Sequence, residues 1–564
     1  MVGASRLFMH MDTVLKHWPN AVRARWPLVL LLGWAQQGAI AQAVADLTLT
    51  LSPGDTLIGI SQRYLAEPKR WPELQRLNHI AQDRRLQPGA FLQIPVGWLR
   101  WTERTADVIH VQGNVLGVMG GAPSAVGEQL SVGMKIKAGD SFDTGPAGAL
   151  TLRMPDGALV VFPSKTQATL GLSREVTGTA VRMTQINLTS GSADSTVPPL
   201  KDPASRFEIR TPRVITAVRG TRFRVTADGD VSRHEVVSGV VAVDGSAGHA
   251  SLNQSQGLRA DGGRLGTVVP LLPAANVSGL PDRIERTAQS LSVPALVGAQ
   301  GWRWQVASDA AFTRLLQDEQ TAAPTWLLTD LADGDYHLRV RAADAQNLEG
   351  QEAHLAFALR ARPEPPLMIS PAANDSVSGA SELVWAEGVN APAYQVQVAR
   401  DARFTDRVLD LPKVTGNRVP MDAAWAPGTY FWRVATLRVP GQSAPFSEGP
   451  RGPFGDSASF TLLPPSAMMP PAVGERGMTL AWSGPAGFSH RVQVSTDANF
   501  LTTAYDQVVP GSRLELPKPD PDMYYVRTQV ILSKDRVGQW SSVQRFEVPR
   551  NPPWALLLLL LPLL

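Results

Sequence analysis

The chain has 564 residues, enough for several domains at roughly 150 residues each. Its 53 basic and 50 acidic residues nearly cancel, leaving +3, a balance that argues against a dedicated nucleic-acid binder. Cysteine is absent, which excludes disulfides, thiolate nucleophiles and thiolate-held metals.

Residues 1–43 read as an export signal peptide. Arg23 and Arg25 precede the apolar run Pro27–Trp34, and Ala39-Ile40-Ala41 or Ala41-Gln42-Ala43 offers a small-x-small cleavage site. The stretch before Arg23 is long for such a signal, so Met9 or Met11 is an alternative start. An uncleaved anchor is the other reading, and the shortness of the apolar run disfavours it. Export implies the periplasm or cell envelope of a bacterium.

Residues 46–97 form a small α+β module of order βααβ. The alternating stretch Leu47–Leu51 reads as a strand, and Asp55 suits the N-cap of a helix bearing Leu57, Ile60 or Ser61, Tyr64 and Leu65 at helical spacing. Pro72 fits the first position of a second helix. Pro88-Gly89 turns the chain into a strand, Phe91–Ile94, which Pro95 stops. With Gly54-Asp55-Thr56-Leu57, Asn78, Pro88-Gly89 and Ile94-Pro95 so placed, the module resembles a LysM domain. That resemblance implies binding of peptidoglycan, or another glycan containing N-acetylglucosamine, between two loops. The implied glycan-binding positions are Gly54, Asp55, Thr56, Leu57, Asn78, Leu86, Gln87, Pro88 and Gly89. The plainer reading is that Gly54, Asp55, Pro88 and Gly89 only build turns and a cap. One departure is the stretch Leu65–Trp71, longer than the usual link between the helices and expected near one end of the groove.

After an expected linker over 97–105, residues 106–268 read as all-β. Ala149–Met154 and Ala158–Phe162 flank Pro155-Asp156-Gly157, a strong hairpin signal. Arg206–Arg210 and Thr221–Val225 alternate apolar with charged residues, which predicts half-buried strands. Lys137–Asp140, Asp143-Thr144-Gly145, Met154–Gly157, Phe207–Pro212 and Ala217–Phe223 together resemble the periplasmic FecR-type domain. Members of that family relay a receptor signal to a sigma factor, with a cytoplasmic segment and a transmembrane helix ahead of the domain. This chain has an export-like segment and a LysM-like module there instead. The arginines of the segment have two readings. Arg206, Arg210, Arg213, Arg222 and Arg224 form either a contact face for an acidic partner or a solvated strand face, with Arg219 tied down inside the fold by its motif.

Residues 282–361, 366–462 and 467–548 read as three repeats. Trp304–Phe312, Val396–Phe404 and Val492–Phe500 echo one another, and their aspartates Asp309, Asp401 and Asp497 lie 92 and 96 positions apart (401 − 309 and 497 − 401). Tyr336, Tyr430 and Tyr524 begin a second echo; Trp385 and Trp482 match, while the first repeat lacks a counterpart. A period near 95 residues suits tandem β-sandwiches. The spacing resembles fibronectin type III or related immunoglobulin-like modules. Each tyrosine is expected to bond back to the chain, and each aspartate to cap a turn; one aspartate per repeat is too few for calcium. Pro363–Pro366 and Pro464-Pro465 are stiff joints, and residues 549–564 form a Pro/Leu-rich hydrophobic tail.

The fold expected is therefore multidomain and mainly β. No cofactor or metal is expected, because no HExxH, GxSxG or phosphate loop occurs. Asp228 and Asp230 around Gly229 read as a turn rather than a catalytic pair. The expected role is a non-catalytic envelope protein that binds peptidoglycan and presents its β-domains as a scaffold to an envelope partner. The alternatives are a signalling component related to sigma-factor regulators and a wall enzyme with an unrecognised site. A single LysM module binds weakly, so firm attachment calls for a second contact, through the β-domain or through oligomerisation.

Overall fold

The computed structural model describes residues 46–83, 86–121, 127–378, 381–388, 391–439, 449–474, 476–534 and 536–550. The expected export segment and the Leu-rich end of the tail lie outside the described residues. Among the described residues no helix is long and apolar enough to cross a membrane.

In the N-terminal module β1 (Leu47–Thr50) pairs antiparallel with β2 (Phe91–Ile94). Alternation turns Leu47, Leu92 and Ile94 inward, onto Leu57, Ile60 and Tyr64 of α1 (Leu57–Tyr64) and Leu74 of α2 (Trp71–Leu77). Thr56, not Asp55, caps α1: its hydroxyl accepts from the Gly59 N–H at 3.1 Å. Asp55 is diverted because its carboxylate turns back to the Ser52 N–H at 2.7 Å. Pro72 is the second rather than the first residue of α2, where its missing N–H still has no partner to lose.

The long inter-helix link and the expected linker both take regular structure. The long inter-helix link forms a 3₁₀ turn, Pro68–Arg70, in which Arg70 lies over the Trp98 ring at 4.0 Å and pairs with Glu73 at 2.7 Å. This places the link at the C-terminal end of α1, away from the two loops at its N-terminal end. Residues 97–105 are no free linker either. β3 (Trp101–Glu103) pairs with Arg174–Val176 of the next domain, and Arg174 covers the Trp101 ring at 4.5 Å. Leu65 bridges to Leu99, and Val176, Val181 and Ala204 of the second domain share the module's core.

From Trp101 to Pro270 the strands pair into a closed barrel. The Asp-Gly hairpin is present, with Leu159 opposite Arg153 and Phe162 opposite Leu150. The long strand Arg182–Thr196 pairs with Gln167–Val176 and Arg206–Arg210 over its first part and with Leu159–Phe162 and Arg222–Asp228 over its second. Its core centres on edge-to-face rings, Phe142 on Phe162 at 4.7 Å and Phe207 on Phe223 at 6.4 Å.

Three two-sheet sandwiches follow, with strands over 283–359, 368–463 and 467–547. In each, the tyrosine hydroxyl bonds a carbonyl four residues back: Tyr336 to Ala332, Tyr430 to Ala426 and Tyr524 to Asp520, at 2.9, 2.7 and 3.0 Å. Asp309, Asp401 and Asp497 each accept backbone N–H groups of the following turn. That turn ends on Phe312, Phe404 or Phe500, all in the left-handed region at φ 56–59°. The missing tryptophan of the first repeat has moved one strand. Ladder pairing aligns Val293 with Trp385 and Trp482, and Trp304 with Val396 and Val492, so large and β-branched side chains have exchanged places in one buried layer.

Candidate functional site

The two loops that carry the sequence motif are twin turns. Ser52-Pro53-Gly54-Asp55 closes with the Asp55 N–H on the Ser52 carbonyl, and Gln87-Pro88-Gly89-Ala90 closes with the Ala90 N–H on the Gln87 carbonyl, both at 3.1 Å. Pro at the second position and Gly at the third, with φ of +88° and +84°, is the type II pattern. The turns are held side by side because the Gly89 N–H donates to the Leu51 carbonyl at 2.8 Å and the Leu51 N–H to the Ala90 carbonyl at 2.9 Å. Gly54, Thr56, Gln87, Pro88 and Gly89 are exposed there, and Asp55 and Leu86 are half-buried. The result is a shallow, backbone-rich cleft with an apolar edge, suited to a neutral ligand that both donates and accepts.

Two of the expected positions have other work. Leu57 is fully buried in the core. Asn78 is a clip: its amide donates to the Leu74 and Gln93 carbonyls at 2.9 and 2.8 Å, and its oxygen accepts the Gln93 N–H at 2.6 Å. It ties the end of α2 to β2 rather than lining the turns.

The arginines are dispersed, and their strands are not half-exposed. Arg206 and Arg210 both pair with Glu208, which is buried; Arg213 pairs with Asp230 at 3.1 Å; Arg219 is exposed rather than tied down. Arg222 and Arg224 meet a partner within the chain. Arg222 pairs with Glu352 at 2.7 Å, and the buried Arg224 pairs with Glu235 at 3.2 Å and donates to the Glu349 and Gly350 carbonyls at 2.6 and 2.9 Å. Glu349 and Glu352 belong to the first sandwich.

This contact is a two-way exchange of charge. Asp194 of the barrel receives Arg339 and Arg341 of the first sandwich at 2.9 and 2.7 Å, and Arg303 holds Asp318 and Glu349, both at 2.7 Å. Five arginines (222, 224, 303, 339 and 341) thus face five carboxylates (194, 235, 318, 349 and 352). The guanidinium groups hold Asp194, Glu349 and Glu352 below the usual carboxylate range despite burial, whereas burial pushes Glu235 up to about 6. An apolar patch of Ala149, Val161, Phe312 and Leu315 seals the contact beside the charges. Sequence reasoning missed these acids. The available signal was Arg339-Val340-Arg341, charges set into an otherwise apolar strand.

Comparison with known proteins bears on the first two domains. Residues 50–95 match the LysM domain family, and residues 140–242 match the FecR protein family. The chain carries a LysM domain and a FecR-type domain. Among solved structures, a candidate anti-sigma factor from Parabacteroides distasonis is similar at 20% identity over 23% of this chain, with a TM-score of 0.20. This chain spans 57% of that structure's length. Chicken CNTN1 FN1–FN3 domains match at 14% identity over 50% of this chain and 100% of theirs, with a TM-score of 0.19. No curated protein matches the chain. LysM and FecR families are binding and signalling domains, which point to glycan binding and to envelope signalling.

Proposed function

We propose that this chain is a non-catalytic, exported envelope protein that attaches to peptidoglycan through its LysM turns and presents the FecR-type domain and sandwiches as a scaffold. One observation carries the reading. The twin Pro-Gly turns sit at the N-terminal end of α1, whereas the joint to the FecR-type domain is made at its C-terminal end, where the Arg100 N–H donates to the Tyr64 carbonyl at 2.6 Å. A helix of eight residues separates the two by about 12 Å. The cleft therefore stays open while the module is fixed to its neighbour.

The test is co-sedimentation of the full chain with purified peptidoglycan beside Gln87→Arg, an exposed change that blocks the cleft and leaves the core untouched. The parent should pellet and the variant should stay in solution. If the parent also stays in solution, the attachment reading fails. The FecR match supports a second reading, an envelope signalling component. Capture of a membrane regulator from envelope extract, lost on charge reversal at the exposed Arg219, would favour it.

A further inference from the structure

The three sandwiches repeat one arrangement on the outer face of the larger sheet, and the molecule already uses that face once. In the first sandwich the FecR-type domain lies on it and brings a carboxylate, Asp194, to Arg339 at 2.9 Å. In the second, the face carries Gln397 on Tyr394–Ala399 and Arg433 opposite it on Gly428–Leu437. The next strand, Arg451–Phe454, adds one ring and one more cation. Arg433 and Arg451 lie over the same Phe454 ring, at 4.1 and 4.2 Å, and all three side chains are half-buried.

The charges on this face do not balance. Arg407, which is exposed, pairs with Asp410 at 2.9 Å, and Asp410 also accepts from Gln397 at 2.9 Å. Gln397 Oε1 in turn accepts from Nε and Nη2 of Arg433 at 2.9 and 2.7 Å. Nη1 of Arg433, and Nε and Nη2 of Arg451, have no hydrogen-bond partner among the described residues and are not buried. Three guanidinium groups thus share one carboxylate. Burial first, then repulsion from Arg451 and Arg407, holds Arg433 below the ordinary arginine range. Stacking on Phe404 at 3.9 Å and on Phe454 orients its guanidinium in advance, so little freedom is lost when a partner arrives. Arginine and aromatic side chains set together are the composition of an interaction hot spot, and guanidinium groups receive carboxylates in two-pronged pairs. Arg433 and Arg451 share one ring and so lie at most about 8 Å apart, which fits alternate side chains of a strand, about 7 Å apart. We propose that this face of the second sandwich docks an acidic strand of a partner protein, whose alternate carboxylates meet Arg433 and Arg451. The first sandwich supplies the precedent, since the group that reaches its arginine also comes from a strand, Arg182–Thr196. The proposal names a partner for the scaffold and is independent of attachment to peptidoglycan.

The test is fluorescence anisotropy of a labelled octapeptide of alternating glutamate and threonine, titrated with the full chain beside a lysine–threonine counterpart. The parent should bind the acidic peptide and not the basic one. Arg451→Glu should weaken binding at least about tenfold, because it removes one charged pair and adds a repulsion. Arg451 has one side-chain hydrogen bond, to the adjacent Gly452 carbonyl, so little of the fold depends on its charge. Arg451→Gln, which removes the charge without reversing it, should weaken binding about threefold, as for a partly exposed ion pair. Arg513→Glu makes the same change of net charge at an exposed position of the third sandwich and should bind like the parent. A parent that binds neither peptide, or both alike, overturns the proposal. So does unchanged binding in Arg451→Gln, or a loss in Arg513→Glu equal to that in Arg451→Glu, which would make the attraction a general one. Inorganic polyphosphate that binds through Arg451 where the peptide does not would assign the face to a phosphate polymer and overturn it as well. The titration contains no glycan, so its failure leaves the attachment reading standing.

Discussion

At the scale of single residues, the LysM turns are conformational before they are chemical. A Cβ built on Gly54 or Gly89 meets nothing within 4 Å, so these glycines are required by their positive φ and not by lack of room. Gly89→Ala should cost about 1–2 kcal/mol of left-handed strain, read as faster amide exchange at Leu51 and Ala90. Asn78→Ala should cost about 1–3 kcal/mol, because the Gln93 N–H and the Gln93 carbonyl both lose their partner, while the Leu74 carbonyl keeps the backbone N–H of residue 78. Its readout is faster exchange at the Gln93 amide, with the glycan cleft intact; a loss of glycan binding at unchanged Gln93 protection would instead restore Asn78 to the cleft. These cases show how far sequence reading reaches. Pro-Gly spacing marked both turns, since a turn type depends on four consecutive residues. It did not separate Asp55 from Thr56 as the cap, because both side chains can accept and only the closed turn decides which one is free. Nor could it tell that Asn78 spends its amide on Gln93, fifteen positions away.

At the scale of the element, the sandwiches share one motif that the local echoes only half revealed. Gln305, Gln397 and Gln493 each donate to an aspartate on the neighbouring strand (Asp318, Asp410, Asp506) and accept from an arginine on the other side (Arg339, Arg433, Arg527). Each arginine lies over the left-handed phenylalanine at 4.3, 3.9 or 4.0 Å. In the second and third repeats a further ring covers the arginine, Phe454 at 4.1 Å and Trp540 at 4.3 Å. In the first repeat the cover is the FecR-type domain, with Asp194 in place of a ring. The echo Gln-Val-Ala-x-Asp, with serine for alanine in the third repeat, was legible because its residues are contiguous. The arginine belongs to the second echo and the aspartate to neither, and that the three meet shows only in the ladder. The same substitution should therefore have unequal effects. Arg433→Met keeps an apolar chain between two rings but leaves the Gln397 oxygen without its donor, and should cost about 1–3 kcal/mol. Arg339→Met leaves the buried Asp194 with one cation fewer and should cost about 3–5 kcal/mol. Chemical denaturation followed by exchange in each repeat compares the two, and equal losses would contradict the difference in cover.

At the scale of the whole molecule, the FecR-type domain and the first sandwich behave as one body, because their contact is a closed set of five opposite charges on each side of neutrality. Such a set is weak evidence of stability but fixes orientation, since any displacement strands buried charge. It also makes the contact sensitive to pH, in two opposed directions. Asp194, Glu349 and Glu352 have folded values below their ordinary ones, so the stability they contribute is present above the ordinary carboxylate range and lost as pH falls through it. Glu235 has a folded value near 6, above its ordinary 4.5, so its contribution is present below about 4.5 and is lost as pH rises to 6. Glu352→Gln should therefore destabilise the two-domain unit at pH 7, with the difference from the parent shrinking as pH falls through the carboxylate range. Glu235→Gln should do the reverse: little change at pH 4.5 and a relative gain once pH passes 6, since the neutral amide keeps an acceptor for the Glu349 N–H, bonded at 3.2 Å. Thermal unfolding of both variants and the parent, followed between pH 4 and 8 through exchange at the Glu349 amide, measures the two trends. Parallel pH profiles for all three would mean that the charges are solvated and that the apolar patch around Phe312 holds the domains together without them.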